Sequence, residues 1–168
     1  MPPTVTRRVA TAADVVAVDA LLVRSYPALL KADYPPSVLV TILPLISRAQ
    51  PALVTCGTYH VVEEAGVVLA AGGWTKGAPG TGAVTTGLGH ILHVVTDHTR
   101  TREGLGRRLM ADIMEEARVA GQTRLEALST LTAEPFYAAL GFTSSERVDV
   151  PIGPAGLLFP AVRMEAPL

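Results

Sequence analysis

Cysteine is almost missing from this chain: Cys56 stands alone, so no internal disulfide can form, and nothing near it has metal-ligand spacing. It is expected to be a buried small residue rather than a catalytic thiol. Net charge is nearly missing too. The formal value is -1 and no long lysine or arginine run occurs, which argues against nucleic acid as the main partner and makes any anion binding local. No apolar stretch reaches about 18 residues without a polar or proline interruption, so a membrane partner is not expected. The opening MPPTVTRRVATAAD lacks the apolar core of a signal peptide, and the expected location is cytoplasmic. Internal repeats, coiled-coil heptads and low-complexity tails are absent as well. What is there is 168 residues, 49% hydrophobic and 17% charged, which suits one globular domain over residues 1–168 with a sizeable core.

The richest stretch runs from Gly87 to Gly121, because its hydrophobic period changes part-way along. Gly89 to Thr96 is apolar and β-branched enough for a buried strand, whereas Leu105, Leu109, Ile113, Met114 and Ala117 recur at helical spacing. Between them lies the basic turn TRTREGLG. Gly104 and Gly106 stand at the helix start, where side chains would block a ligand's approach to backbone N–H groups, and such a turn suits a phosphate. The glycines do not fit G-x-x-x-x-G-K-[ST], and G-L-G-R-R-L lacks the third glycine of G-x-G-x-x-G, so nucleotide-hydrolase and dinucleotide readings drop out.

Elsewhere, Thr4 to Ala10 can form a strand, and Thr11 and Asp14 mark the entry of a helix running to about Tyr26. Pro35-Pro36 breaks the chain before a second helix, capped by Ser37 and running to about Ser47. Gly57–Glu64 and Val67–Trp74, joined by Ala65-Gly66, read as a β-hairpin whose Gly72 and Gly73 mark a bulge or a close approach. Trp74 either packs on substrate or closes the core. Lys76 to Thr86 is glycine-rich and reads as a flexible loop. Arg124–Thr130 makes a fifth strand, Ala133–Leu140 a short helix, and Ser144–Val150 and Leu157–Glu165 two final strands. The resulting order is β-α-α-β-β-β-α-β-α-β-β.

Thr101-Arg102-Glu103-Gly104-Leu105-Gly106, after a strand and opening a helix, resembles motif A of the GCN5-related N-acetyltransferases (GNAT), [Q/R]-x-x-G-x-[G/A]. Downstream, TLTAEPFYAALGF from Thr130 to Phe142 is similar to the family's motif B, with Ala133, Phe136, Tyr137, Gly141 and Phe142 in place. The resemblance implies an α/β GNAT (acyl-CoA N-acyltransferase) fold, a mixed splayed β-sheet flanked by helices. It also implies acetyl-CoA as co-substrate between the fourth and fifth strands, an amine as acceptor, direct attack in a ternary complex, and no metal.

By that resemblance, N–H groups from Thr101, Arg102, Glu103, Gly104, Leu105, Gly106 and Arg107 would hold the pyrophosphate. Val94, Val95 and Thr96 would pair with the pantetheine arm, with Val95 N–H stabilising the oxyanion. Thr130 takes the position where motif B usually has asparagine. Tyr137 is expected to be the general acid, and His90, where relatives place a glutamate, the general base. Alternation along a regular strand sets His90 on one face with Leu92 and Val94, and His93 opposite. Glu63, Glu64 and Glu134 are weaker bases. In this fold the two helices wall the acceptor cleft, and Tyr26 and Tyr34 are candidate lining residues. The implied acceptor is a small-molecule primary amine. Two alternatives stay open, a protein or peptide N-acetyltransferase and a non-catalytic acyl-CoA-binding sensor. A homodimer is also open, paired through an exposed final strand.

Overall fold

A computed structural model describes residues 2–168. Seven strands form one sheet in the order β1-β2-β3-β4-β5-β7-β6. The strands are β1 (Val5–Val9), β2 (Tyr59–Glu64), β3 (Val67–Thr75), β4 (Leu88–Thr96), β5 (Arg124–Thr130), β6 (Thr143–Ile152) and β7 (Leu157–Pro167). Neighbours run antiparallel except β4 and β5, which are parallel and joined through helix α4 (Leu105–Val119). A parallel pair needs such a crossover, and the change of period after Thr96 supplies it. Helix α4 buries Leu105, Leu109, Met110, Ile113 and Ala117 against one sheet face. The helix α1 (Val15–Leu30) packs Val18, Leu21 and Leu22 on a separate core with Val61, Val68 and Ala71.

The expected element order holds, with one addition and several shifted ends. A short helix α3 (Pro51–Val54) precedes β2. Thr11 caps a 3-10 turn, its N–H donating to Asp14 Oδ2 at 2.8 Å, before α1 begins. That helix runs four residues past Tyr26, because the carbonyl that Pro27 leaves without a donor belongs to Val23, on the exposed side. Helix α2 (Pro36–Ile46) starts one residue before Ser37, with Pro36 in the first turn and Pro35 at the cap position, where a proline loses no helical bond. The hairpin turn is confirmed, Ala65 and Gly66 both having positive φ. The loop after β3 is more ordered than its glycines suggest, since Gly77 and Val84 form a bridge.

Two expectations are corrected. Cys56 is exposed, not buried, because α3 ends just before it and leaves it in a surface turn. The final strand is not an exposed edge: β7 inserts between β5 and β6, and from Ala161 it pairs with β5 as well as with β6, so the sheet edges are β1 and β6.

One irregularity shapes the centre of the sheet. Ala71 faces Val95 and Gly73 faces Leu92, so Gly72 alone opposes His93 and Val94, and β4 carries an extra residue. His93 sits at a φ of 46° there. Gly72 is required across the strand, since a Cβ would lie 2.7 Å from Val94 Cγ2. The Tyr59 hydroxyl donates to the His93 carbonyl at 3.1 Å and pins the bulge from beneath. The extra residue also reverses the side-chain phase, which corrects the simple alternation: Val94 joins Ile91 on the α4 side, and Val95 lies in the α1-side core.

Candidate active site

Strands β4 and β5 pair only from Leu88 to His90 against Arg124 to Glu126. Beyond His90 they part, at the point where the bulge turns β4 away. The opening between them is a cavity of about 590 Å³. Its floor comes from the diverging strands, one end from the turn before α4, and the other from α1, α2, β6 and β7.

At the turn, Gly104 caps α4 with φ 78°, a left-handed conformation that favours glycine. The first backbone bond of the helix is donated by Arg108 to the Gly104 carbonyl at 3.0 Å. N–H groups of Leu105, Gly106 and Arg107 precede that ladder, and those of Thr101 to Gly104 take no part in the backbone bonds of the turn among the described residues. Donors therefore converge where the helix dipole favours an anion. Gly106 is needed for a different reason than ligand approach: a Cβ there would meet Thr96 Oγ1 at 3.1 Å and Phe136 Cζ at 3.2 Å, so it lets α4 seat against β4 and the following helix.

The turn is held from behind by charge. Asp97, directly after β4, accepts from Thr99 N–H at 2.8 Å and from Arg24 of α1 at 2.8 Å. Burial pulls its pKa upward, yet the bonds from Thr99 and Arg24 dominate and hold it at about 2. Arg100 lines the cavity, but its guanidinium is paired with Glu64 at 2.8 Å and Glu103 at 2.6 Å. Arg102 and Arg107 also line it and stand in none of the ion pairs among the described residues, so their charge is available to a ligand.

Motif B builds the opposite rim. Thr130 Oγ1 accepts from Ala133 N–H at 3.1 Å and starts the short helix α5 (Glu134–Ala139). Tyr137 is 6% exposed, its ring packed on Phe136 (5.2 Å between centroids) and Phe142 (5.3 Å). None of the side-chain hydrogen bonds uses its hydroxyl, and the residue lines the cavity. Burial, reinforced by the neighbouring Tyr26, pushes its pKa up, so it keeps its proton at neutral pH. Tyr26 lines the cavity as well, and burial raises its pKa to about 12.

Of the residues singled out in the sequence, Val94, Val95, Thr96, Thr101, Arg102, Gly104, Leu105, Gly106, Arg107, Thr130 and Tyr137 all line this one cavity. Glu103 does not, its carboxylate being turned to Arg100. His90 does not either. Its ring is 4% exposed, both nitrogens lack a hydrogen-bond partner, and Nδ1 lies 3.6 Å from Glu126 Oε1. Glu126 in turn accepts from Arg163 at 3.1 Å. The imidazole that lines the cavity is His93, whose pKa burial lowers. Trp74 closes the core instead of meeting substrate, its indole N–H donating to Glu116 at 2.9 Å. Tyr34 stacks on Phe159 at 4.7 Å and spends its hydroxyl on Pro160 and Leu131, so it is a wall support. Leu128, Val150 and Ile152 also line the cavity, and nothing local in the sequence says which strands flank the gap.

A model of the acetyltransferase (GNAT) domain matches residues 60–164, from β2 through β7. The chain belongs to the GNAT acetyltransferase family. Solved GNAT structures share the whole fold. A GCN5-related N-acetyltransferase from Rhodopseudomonas palustris superposes with a TM-score of 0.75 at 17% identity, over 100% of this chain and 97% of that one. YncA from Salmonella typhimurium, solved with its cofactor acetyl-CoA, gives 0.68 at 20% identity, over 98% and 94%. PaiA N-acetyltransferase from Thermoplasma acidophilum, in complex with coenzyme A, gives 0.72 at 8% identity, over 98% and 99%. In sequence, the chain is 38% identical over 60 residues to a glucosamine 6-phosphate N-acetyltransferase of Trypanosoma brucei brucei, a match covering 36% of this chain and 41% of that relative's length. Among the described residues, no helix is long and apolar enough to cross a membrane.

Proposed function

We propose that this GNAT protein transfers an acetyl group from acetyl-CoA to the primary amine of a small molecule by direct attack in a ternary complex. The observation that carries the reading is the parting of β4 and β5 beyond His90, with uncommitted N–H donors at one end of the gap and the Tyr137 hydroxyl at its side. The N–H groups from Thr101 to Arg107 hold the pyrophosphate, with Arg102 and Arg107 adding charge at the rim. Val94 to Thr96 present the strand edge freed by the splay to the amides of the pantetheine arm.

As the amine nitrogen bonds to the thioester carbon, the carbonyl oxygen becomes an oxyanion. Val95 pairs with Ala71 in the register that sets the Asp97 N–H on the Leu69 carbonyl, so its N–H faces β3, and the neighbouring Val94 N–H is our assigned donor, a contribution of about 10²–10³ in rate. When the C–S bond breaks, Tyr137 delivers its proton to the departing thiolate. His90 stands behind the wall in this structure, so a base role for it would need an intervening water. His93, kept neutral by burial, is the imidazole at the cavity itself.

Calorimetry with acetyl-CoA, followed by CoA release over a panel of amines, tests this reading. Binding with turnover supports it. Absence of heat with acetyl-CoA refutes it, and binding without turnover of any amine converts the protein into a non-catalytic acyl-CoA binder.

A further inference from the structure

Opposite the phosphate turn, the cavity wall is made of Leu29, Ile46, Leu92, Leu128, Ile152 and Phe159, contributed by α1, α2, β4, β5, β6 and β7. All but Phe159 are half-buried, so part of each side chain faces the space. The charged groups lining the cavity are Arg100, Arg102 and Arg107, all in or just after the turn, and among the described residues no carboxylate lines it. The remaining titratable groups at the wall are Tyr26, Tyr137 and His93. Of the carboxylates on the flanking elements, Glu64 and Glu103 are spent on Arg100, Asp33 on Thr132, Asp97 on Arg24 and Glu126 on Arg163, while Glu134 and Asp149 stand in no ion pair among the described residues and do not line the cavity.

From this distribution we infer that the acceptor is a small amine with an apolar body, an aralkyl or alkyl amine, taken up in its neutral form. The inference rests on the acetyl-transfer reading above and adds the substrate class to it. A polyamine brings several ammonium groups, each needing a carboxylate or water; among the described residues no carboxylate lines the cavity, the Ser129 hydroxyl is spent on the Thr130 carbonyl, and the Tyr26 hydroxyl carries no charge to offer. A sugar phosphate brings hydroxyls and a dianion, whereas among the described residues the guanidinium groups lining the cavity, Arg100, Arg102 and Arg107, lie in or just after the turn before α4. An apolar body gains by displacing water from the leucine and isoleucine wall. The amine itself arrives deprotonated, since no anion waits to stabilise an ammonium and only the neutral nitrogen carries the lone pair that attacks. The reaction then balances simply: the N–C bond forms and the C–S bond breaks. The proton released from nitrogen leaves to solvent or His93, the thiolate takes the Tyr137 proton, and Tyr137 regains a proton from solvent, so one proton moves from nitrogen to sulfur overall.

The test compares kcat/KM, by CoA release at saturating acetyl-CoA, for propylamine, butylamine, hexylamine, 2-phenylethylamine, spermidine, glucosamine 6-phosphate and a short peptide with a free N-terminus. The expected result is a rise of about fourfold per added methylene along the alkyl series. Phenylethylamine should exceed spermidine and glucosamine 6-phosphate by about 100-fold. For hexylamine, log kcat/KM should climb with unit slope from pH 6 to 9, following the free-amine fraction. Ile152→Asp, or Ile46→Asp should the first fail to fold by its melting temperature, should lower the phenylethylamine value at least tenfold and raise that for spermidine.

A highest kcat/KM for spermidine, the sugar phosphate or the peptide overturns the inference, as does a flat alkyl series. Such an outcome with normal acetyl-CoA binding leaves acetyl transfer standing, whereas absent acetyl-CoA binding removes transfer itself. Should no amine be acetylated, thermal melting of the CoA complex decides: stabilisation by hexylamine over spermidine supports the apolar site, and equal or smaller stabilisation overturns it.

Discussion

Replacing Tyr137 by phenylalanine removes one oxygen from a residue whose ring and hydroxyl do separate jobs. The ring is buried between Phe136 and Phe142, at 5.2 and 5.3 Å, and phenylalanine keeps those contacts. The hydroxyl makes no bond within the protein among the described residues, so its loss orphans no partner, and stability should change by no more than about 0.5 kcal/mol. Acetyl-CoA affinity should also hold, because the pyrophosphate site proposed above is built from backbone groups of the turn before α4, not from Tyr137. If Tyr137 is the acid proposed above, what disappears is the proton for the leaving thiolate, typically about 10²–10⁴ in rate, or about 3–5 kcal/mol of barrier. Burial raises the pKa of this tyrosine, so the parent enzyme should show no loss of rate from its ionisation between pH 7 and about 9. The assay is CoA release at saturating acetyl-CoA and amine, with melting temperature and acetyl-CoA calorimetry as controls. A kcat within about threefold of the parent's, with both controls unchanged, would refute the acid role. Tyr137→Ala should behave differently, losing about 3–5 kcal/mol of stability because the ring goes too.

Other residues give independent checks. Gly72→Ala places a Cβ 2.7 Å from Val94 Cγ2 and 3.1 Å from Val94 Cα, so it should cost about 1–3 kcal/mol in chemical denaturation and weaken acetyl-CoA binding by displacing the bulge. Asp97 has an ordinary pKa of 3.8 and a folded one of about 2, so its contribution, about 2 kcal/mol, is complete above pH 4 and lost as pH falls toward 2. Urea unfolding at pH 5, 3 and 2 should show this slope in the parent and a correspondingly smaller one in Asp97→Asn. Arg102→Ala should weaken acetyl-CoA binding about two- to fivefold at low salt, and the difference should shrink in 0.5 M salt, since the guanidinium is exposed. An unchanged Kd at both salt concentrations would remove Arg102 from the phosphate site.

The sequence by itself determined the segment from Leu88 to Val119. A strand period, a glycine-bearing turn and a helical period follow one another within about thirty residues, and each depends only on neighbours along the chain. For the same reason the glycine turn before α4 and the motif B tyrosine were legible, being local patterns whose spacing survives in the fold. Tertiary structure alone decided which way the side chains of β4 face. The bulge at His93 exists because Gly72 lies across from it and Tyr59 holds its carbonyl, partners 21 and 34 positions away along the chain. That one extra residue reverses the alternation, while the close pairing of β4 and β5 encloses His90 beside Glu126 behind the wall. Likewise the insertion of β7 between β5 and β6 brought Ile152 and Phe159 beside Leu128 to make an apolar wall. Strand order is set by which faces must be buried together across the whole molecule, a requirement that no local period expresses.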